Sequence, residues 1–318
     1  MAQTPTVYVM GGYIAAGGTR MAYEIGLVAH RSFGLAVKMV AMGQERAEHS
    51  VFSYPVPFET VGIGDLPGLV APHDLLICNP SFSDGKIGLT YHCRKLMYVQ
   101  GFTTFSTLDL WFDGYVAVSG FVRNFLCQVY DLPADVIPPF VTLPVLPVTP
   151  WQERPADSIL LYLKGNSDTQ RLLLGRLKVE VAGLSVPVAE RIDWEGSVHH
   201  AGGLEQSKLF ATLAEKRYFL TLAVTEGFGL VPLEAMAAGT AVLGFDGFGG
   251  RDYMRPGENC AVRPYPDIAG VARDLVAAFR QPERAADRAA QGPATAERYS
   301  NARFRAAWEP ILARLLWR

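Results

Sequence analysis

The sequence predicts an α/β protein built from two doubly wound domains, and three features carry that prediction. Short runs rich in Val, Leu and aromatic residues alternate with segments of helical period. Near mid-chain the alternation is broken by Pro138, Pro139, Pro144, Pro147, Pro150 and Pro155, a density that suits a stiff linker better than a helix or a central strand. Beyond the linker the same alternation starts again, and 318 residues suffice for two cores.

In chain order, strands are expected at Val7 to Met10, Leu35 to Met42, Asp74 to Cys78, Leu96 to Val99 and Tyr115 to Ser119. Each is a short apolar run. Helices are expected over Thr19 to His30 and Phe121 to Tyr130, where apolar residues recur every three or four positions. This N-terminal domain is placed at 1–149. The second domain, 150–300, reads as strands at Ile159 to Leu163, Val179 to Val188, Arg191 to Trp194, Tyr218 to Ala223 and Thr240 to Phe245. Its helices are expected near Leu204 to Glu215, Leu230 to Ala238 and Asp267 to Phe279. Residues 301–318 end in WEPILARLLWR, an amphipathic helix with Trp308, Ile311, Leu312, Leu315 and Leu316 near one face. It is expected to cross back onto the N-terminal domain, a weak peripheral membrane contact being the other use of such a face.

Composition narrows the classes of function. Lys plus Arg number 29 against 31 Asp plus Glu, a formal charge of −2, so no basic field draws in nucleic acid, and none is expected as a partner. Cys78, Cys93, Cys127 and Cys260 form no C-x-x-C pair, which points away from a disulfide framework or a zinc ribbon and toward a reducing cytoplasm. The start, MAQTPTVYVMGG, reads as a first strand and not as a leader, and no apolar run is long enough to span a bilayer.

The stretch with most chemical content is TEGFGLVPLEAMAAGTAVLGFDGFGG, from Thr225 to Gly250. Glu226 closes a loop after a buried strand, Gly227 and Gly229 let backbone approach a ligand, and Pro232 suits the first turn of the following helix. The free amides and positive dipole end of that helix suit a phosphate or another anion. Glu234 lies one to two turns further on.

EGFGLVPLEAMAAGTAV resembles the E-x7-E signature of family 4 retaining glycosyltransferases, with Glu226 and Glu234 at its two ends. GGYIAAGGTRMAYEIG (11–26) looks like the glycine-rich first loop and helix of that family's acceptor domain. GYVAVSGFVRNFLCQVYDLPADVIPPFV resembles its Ser-started helix and linker, and GFGGRDYMRPGENCAVRPYPD the loop, turn and strand after the signature. The resemblance implies the GT-B architecture, two Rossmann-like domains facing across a cleft. It implies a metal-independent, retaining transfer of a sugar from a nucleoside diphosphate to a carbohydrate, lipid-linked or small-molecule acceptor, in polysaccharide or glycoconjugate biosynthesis. The setting would be the cytoplasm or the inner face of the membrane.

Carried over residue by residue, the resemblance gives Glu226 the hydroxyls of the donor sugar. The backbone of Gly227, Phe228, Gly229 and Leu230 would meet the sugar and diphosphate, and Glu234 the ribose. Ionised carboxylates suit diols because each accepts two hydrogen bonds. The leaving diphosphate needs cations. Where the family has Gly-Arg and a later Lys, this chain reads LLYLKGNSDTQRLLLG, so Lys164 and Arg171 are the candidates. Where the family often has a His in the acceptor domain, this chain reads LMYVQGFTTF, with Gln100 in that place; Gly17 and Gly18 are expected to leave room for substrate beside a helix N-terminus. Gly196 and His199, in GSVHHAGG, are expected near the nucleotide base.

No D-x-D and no G-x-G-x-x-G with a trailing acid occur, so neither a metal nor a cofactor is expected. Phe102, Phe105, Trp111, Phe112 and Tyr115 are read as a core edge or an acceptor surface. The competing functional readings are a non-catalytic homologue that binds a nucleotide sugar or a partner, and a nucleotide-sugar epimerase of the same fold.

Overall fold

The structure is a computed structural model describing residues 3–11, 17–41, 43, 58–82, 87–101, 107–142, 148–164, 168–200 and 206–317. Phe102 and Phe105 lie outside the described residues. The chain divides into two compact units, Met1–Pro139 with Asn301–Arg318, and Phe140–Ser300.

The first unit runs β1 (Val7–Met10), α1 (Gly17–Phe33), β2 (Val37–Ala41), β3 (Glu59–Gly62), α2 (Leu66–Leu69), β4 (Leu75–Cys78), α3 (Ile87–Thr90), β5 (Arg94–Val99), β6 (Gly114–Ala117), α4 (Gly120–Tyr130) and β7 (Asp135–Val136). Its parallel sheet has the order β3-β2-β1-β4-β5-β6-β7. β1 and β4 are buried at every position, as strands covered on both faces must be. Local chemistry fixes the helix starts: Ser119 Oγ accepts from Val122 N at 3.1 Å and caps α4.

The second unit runs β8 (Ile159–Leu163), α5 (Asp168–Leu184), α6 (Val186–Arg191), β9 (Val198–His200), α7 (Gln206–Ala214), β10 (Tyr218–Thr221), α8 (Leu230–Ala237), β11 (Ala241–Phe245), β12 (Ala261–Arg263), α9 (Ile268–Arg280), α10 (Pro282–Ala290) and α11 (Gly292–Glu297). Its sheet, again parallel, has the order β12-β11-β10-β8-β9. Phe140 and Val141 are buried and Val141 N donates to Tyr299 O at 2.9 Å, so this unit takes up the chain ten residues before the boundary expected at 149/150. Arg154, buried and without a carboxylate partner among the described residues, donates to the carbonyls of Thr149, Lys216 and Ala238 and to Thr240 Oγ1. It ties the entry segment to the carboxyl end of α8, where a cation also complements the helix dipole.

Two expected strands do not form where they were expected. Val179 to Val188 falls in α5 and α6, because its alternating Val pattern is overridden by a stripe of Gln170, Leu174, Leu177 and Val181 buried against the sheet side, while Val179 is exposed. Arg191 to Trp194 is the end of α6 and a turn, and the strand comes later, at β9.

The last helix, α12 (Asn301–Leu316), belongs to the first unit. Trp308 is fully buried with its ring 5.1 Å from Tyr98, and Arg94 Nη1 donates to the carbonyls of Leu315 and Leu316. Ile311, Leu312, Leu315 and Leu316 are buried as well. The face that sequence alone left open to a membrane is therefore occupied by protein.

Candidate donor site in the second unit

In the second unit the strand order reverses between β8 and β10, which are neighbours although β9 lies between them in sequence. At such a point the connections leave in opposite directions, so a crevice opens beyond the carboxyl ends of the two strands. Lys164 is the first residue after β8, and the loop 222–229 follows β10.

The structure joins these two segments. Lys164 Nζ lies 2.6 Å from Glu226 Oε2, with the lysine side chain 53% exposed and the glutamate 14%. Lys164 is steadied from below, its amide donating to Oε1 of the buried Gln170 at 2.7 Å. Glu226 is gripped through its backbone, N donating to Gly247 O at 2.8 Å and O accepting from Gly249 N at 3.2 Å. The carboxylate is thus fixed on a loop by contacts that leave its side chain for other use.

Gly229 ends the loop at φ +88°, a conformation open to glycine and costly for other residues. Its carbonyl accepts from Tyr253 Oη at 2.5 Å. The N-cap of α8, which starts at the next residue, is this glycine and so has no side chain to cap the helix; first-turn amides and dipole of that kind suit an anion. Phe228 turns its ring inward, packing 5.1 Å from Tyr253 and 5.3 Å from Tyr299. Only its backbone is then available to a ligand. Glu234 is buried within α8. It and Glu226 act on the same two phenols: burial first, and then both carboxylates, push the Tyr162 and Tyr253 hydroxyls above their ordinary range. The two ends of the E-x7-E spacing therefore share one neighbourhood.

The other expected site residues fall as follows. Arg171 stands one turn into α5, half exposed, with Nη1 3.5 Å from Asp168 Oδ1. His199 is a β9 residue paired in register with Tyr162, near the carboxyl edge where Lys164 lies. Gly196 precedes β9, in a turn where its amide donates to Asp193 Oδ1 at 2.9 Å. In the first unit, Gly17 opens α1, and Gln100 follows β5 at the carboxyl edge, its Nε2 donating to Gly18 O at 2.9 Å. Trp111 is exposed while Phe112 and Tyr115 are buried. Among the described residues no group of three or more His, Cys, Asp or Glu is placed to hold a metal ion, and no helix is long and apolar enough to cross a membrane.

Sequence reasoning missed Tyr162, Tyr253 and the turn from Gly247 to Gly249. The two glycines flanking Phe248 were the available signal.

Residues 188–295 match the family model described as glycosyl transferases group 1. No curated protein matches the sequence. Solved structures do match in fold. A glycosyltransferase from Rickettsia africae gives a TM-score of 0.74 at 13% identity, over 99% of this chain and 100% of that one. The pneumococcal O-GlcNAc transferase GtfA, solved with UDP and GlcNAc, gives 0.72 at 12% identity over 100% of both chains. Sucrose-phosphate synthase from Thermosynechococcus elongatus gives 0.69 at 16% identity over 99% of both. The chain has the GT-B fold, with two Rossmann-like domains. The family match supports glycosyl transfer as its class of activity.

Proposed function

We propose that this protein is a retaining, metal-independent glycosyltransferase whose donor, a nucleoside diphosphate sugar, binds beyond β8 and β10. The observation that carries the reading is the Lys164–Glu226 pair at the point of strand reversal, 2.6 Å apart, on the loop leading into a helix whose N-cap is a glycine and with Glu226 inside the segment matched to glycosyl transferases.

Each part has a task. Glu226 accepts from two sugar hydroxyls, Glu234 from the ribose, and the amides opening α8 meet the diphosphate. Lys164 shifts from Glu226 to the diphosphate when the donor enters, exchanging one anion for another, and Arg171 leaves the exposed Asp168 to become the second cation. During transfer the bond from the anomeric carbon to the diphosphate oxygen breaks. The acceptor oxygen bonds that carbon on the same face, and its proton passes to the departing diphosphate. Fixed positive groups stabilise the charge as it grows. Gly17, Gly18 and Gln100 of the first unit are given to the acceptor, and His199 to the base. Neighbours of this fold solved with UDP make uridine donors the first to try. A carbohydrate or lipid-linked acceptor of polysaccharide synthesis fits best.

The test is Glu226→Ala. Transfer to acceptor and slow hydrolysis of the donor should both disappear while the melting temperature holds, and unchanged turnover would remove Glu226 from the donor site.

A further inference from the structure

The turn that grips Glu226 is built at a cost. Phe248 has φ 64° and ψ −57°, and Gly249 N donates across it to Gly247 O at 2.8 Å. This is the γ-turn of positive φ, rare and strained for any residue with a Cβ. Three contacts lock it. Asp246 Oδ1 accepts from Phe248 N at 2.9 Å, Asp246 Oδ2 accepts from Arg251 Nε at 2.7 Å, and the Arg251 guanidinium lies 4.7 Å over the Phe248 ring. The closed circuit Asp246–Phe248–Arg251 meets Glu226 through both backbone bonds of that residue. A Cβ on Gly247 would stand 3.1 Å from Glu226 Cγ, and one on Gly249 would collide with Gly227 O. Strain of this kind persists where its surroundings over-determine it, and here they determine the placement of one carboxylate.

We propose that Phe248 is a positioning residue, the keystone of a strained brace formed with Asp246 and Arg251 that holds the Glu226 carboxylate in register with the donor sugar. The inference rests on the donor site proposed above. The brace meets the loop at the backbone of Glu226, the residue given the sugar hydroxyls, whereas the diphosphate is given to the amides that open α8. The brace should therefore govern how well the protein tells a nucleoside diphosphate sugar from the nucleoside diphosphate alone.

Calorimetry tests this with UDP-glucose, UDP-N-acetylglucosamine, GDP-mannose and dTDP-rhamnose, each against its parent nucleoside diphosphate. Phe248→Gly releases the strain; Phe248→Ala keeps it and removes the ring; Arg251→Gln opens the circuit if both of the others fold poorly. Phe248→Gly should lower the preference for sugar over parent nucleotide about tenfold, the loss of about one hydrogen bond to a charged group. Affinity for the parent nucleotide should stay within about twofold. Phe248→Gly should also melt about 2–4 °C above Phe248→Ala, against the usual penalty of glycine. In a Glu226→Gln background Phe248→Gly should change the preference no further, because the group it positions is gone. An unchanged preference in Phe248→Gly, or the same fall in the Glu226→Gln background, overturns the brace while leaving the donor site standing. A wild-type protein that binds none of the four donors overturns the donor site, and the brace with it.

Discussion

Replacing Lys164 by Met separates a catalytic cation from a structural one. In the free protein Lys164 makes one ion pair with Glu226, and its side chain is 53% exposed. A pair so open to water contributes about 0–1 kcal/mol. The second unit has the size at which 1 kcal/mol moves the melting temperature by about 2–4 °C, so Lys164→Met should melt within about 4 °C of wild type. Binding should suffer far more. A hydrogen bond from an ammonium to a phosphate contributes about 1.5–3 kcal/mol, and removal of the lysine also leaves Glu226 facing the diphosphate with its charge uncompensated. Affinity for a nucleoside diphosphate should fall about 10–100-fold, while affinity for the free nucleoside stays level. Glu226→Gln added to Lys164→Met should recover part of that loss by removing the repulsion. Calorimetric titration of the three proteins with UDP, GDP and uridine reads all of this at once. A fall of many degrees in melting temperature with diphosphate affinity intact would refute the reasoning and make the pair a strut.

Other consequences follow from the same contacts. Arg154→Leu leaves the carbonyls of Thr149, Lys216 and Ala238 without their buried donor and should destabilise the second unit by about 3–5 kcal/mol in urea unfolding; a change under about 1 kcal/mol would contradict the clamp. Trp308→Ala should cost about 3–5 kcal/mol, whereas Trp308→Phe should be mild, because Trp308 Nε1 has no hydrogen-bond partner among the described residues. Burial raises the Cys93 thiol to about 11 and the Cys260 thiol to about 12, and pushes the Cys78 thiol well above its ordinary range. The folded chain thus keeps protons that the unfolded chain sheds above about pH 9, so these groups make stability fall as pH rises from about 9 toward 11. A thiol reagent at pH 8 should accordingly modify the exposed Cys127 promptly and the three buried thiols only after unfolding, and prompt reaction of a second thiol would contradict the burial. Adding a chelator should leave the rate of transfer unchanged.

How much was legible in the sequence depended on how local the cause was. The core strands could be read because a parallel strand covered on both faces is a continuous apolar run, as in Ile159–Leu163 and Ala241–Phe245. Val179 to Val188 misled because its Val alternation fits a strand, and only the stripe from Gln170 to Val181 shows the helix. Glu226 and the start of α8 were visible because glycines and a proline write that loop into the chain. Lys164 and Arg171 looked alike as cations in sequence. They differ in space, since one reaches Glu226 and the other turns to Asp168 on its own helix. Gly196 was placed near the base as part of a loop following a strand expected at Arg191 to Trp194, whereas the strand of this region is β9, which Gly196 precedes. The glycines flanking Phe248 hinted at a turn, but its role and that of Tyr253 could not be read, because both lie in bonds to residues about twenty positions earlier.

The central claim is that the crevice beyond β8 and β10 binds a nucleoside diphosphate sugar through Glu226 and Lys164. Proton NMR of the purified protein with the tightest-binding donor tests it most directly, following hydrolysis of the donor and the anomeric form of the sugar first released. The account predicts release with the donor's own anomeric configuration, abolished by Glu226→Ala and slowed by Lys164→Met. Release of the opposite anomer, or hydrolysis indifferent to both substitutions, would contradict it.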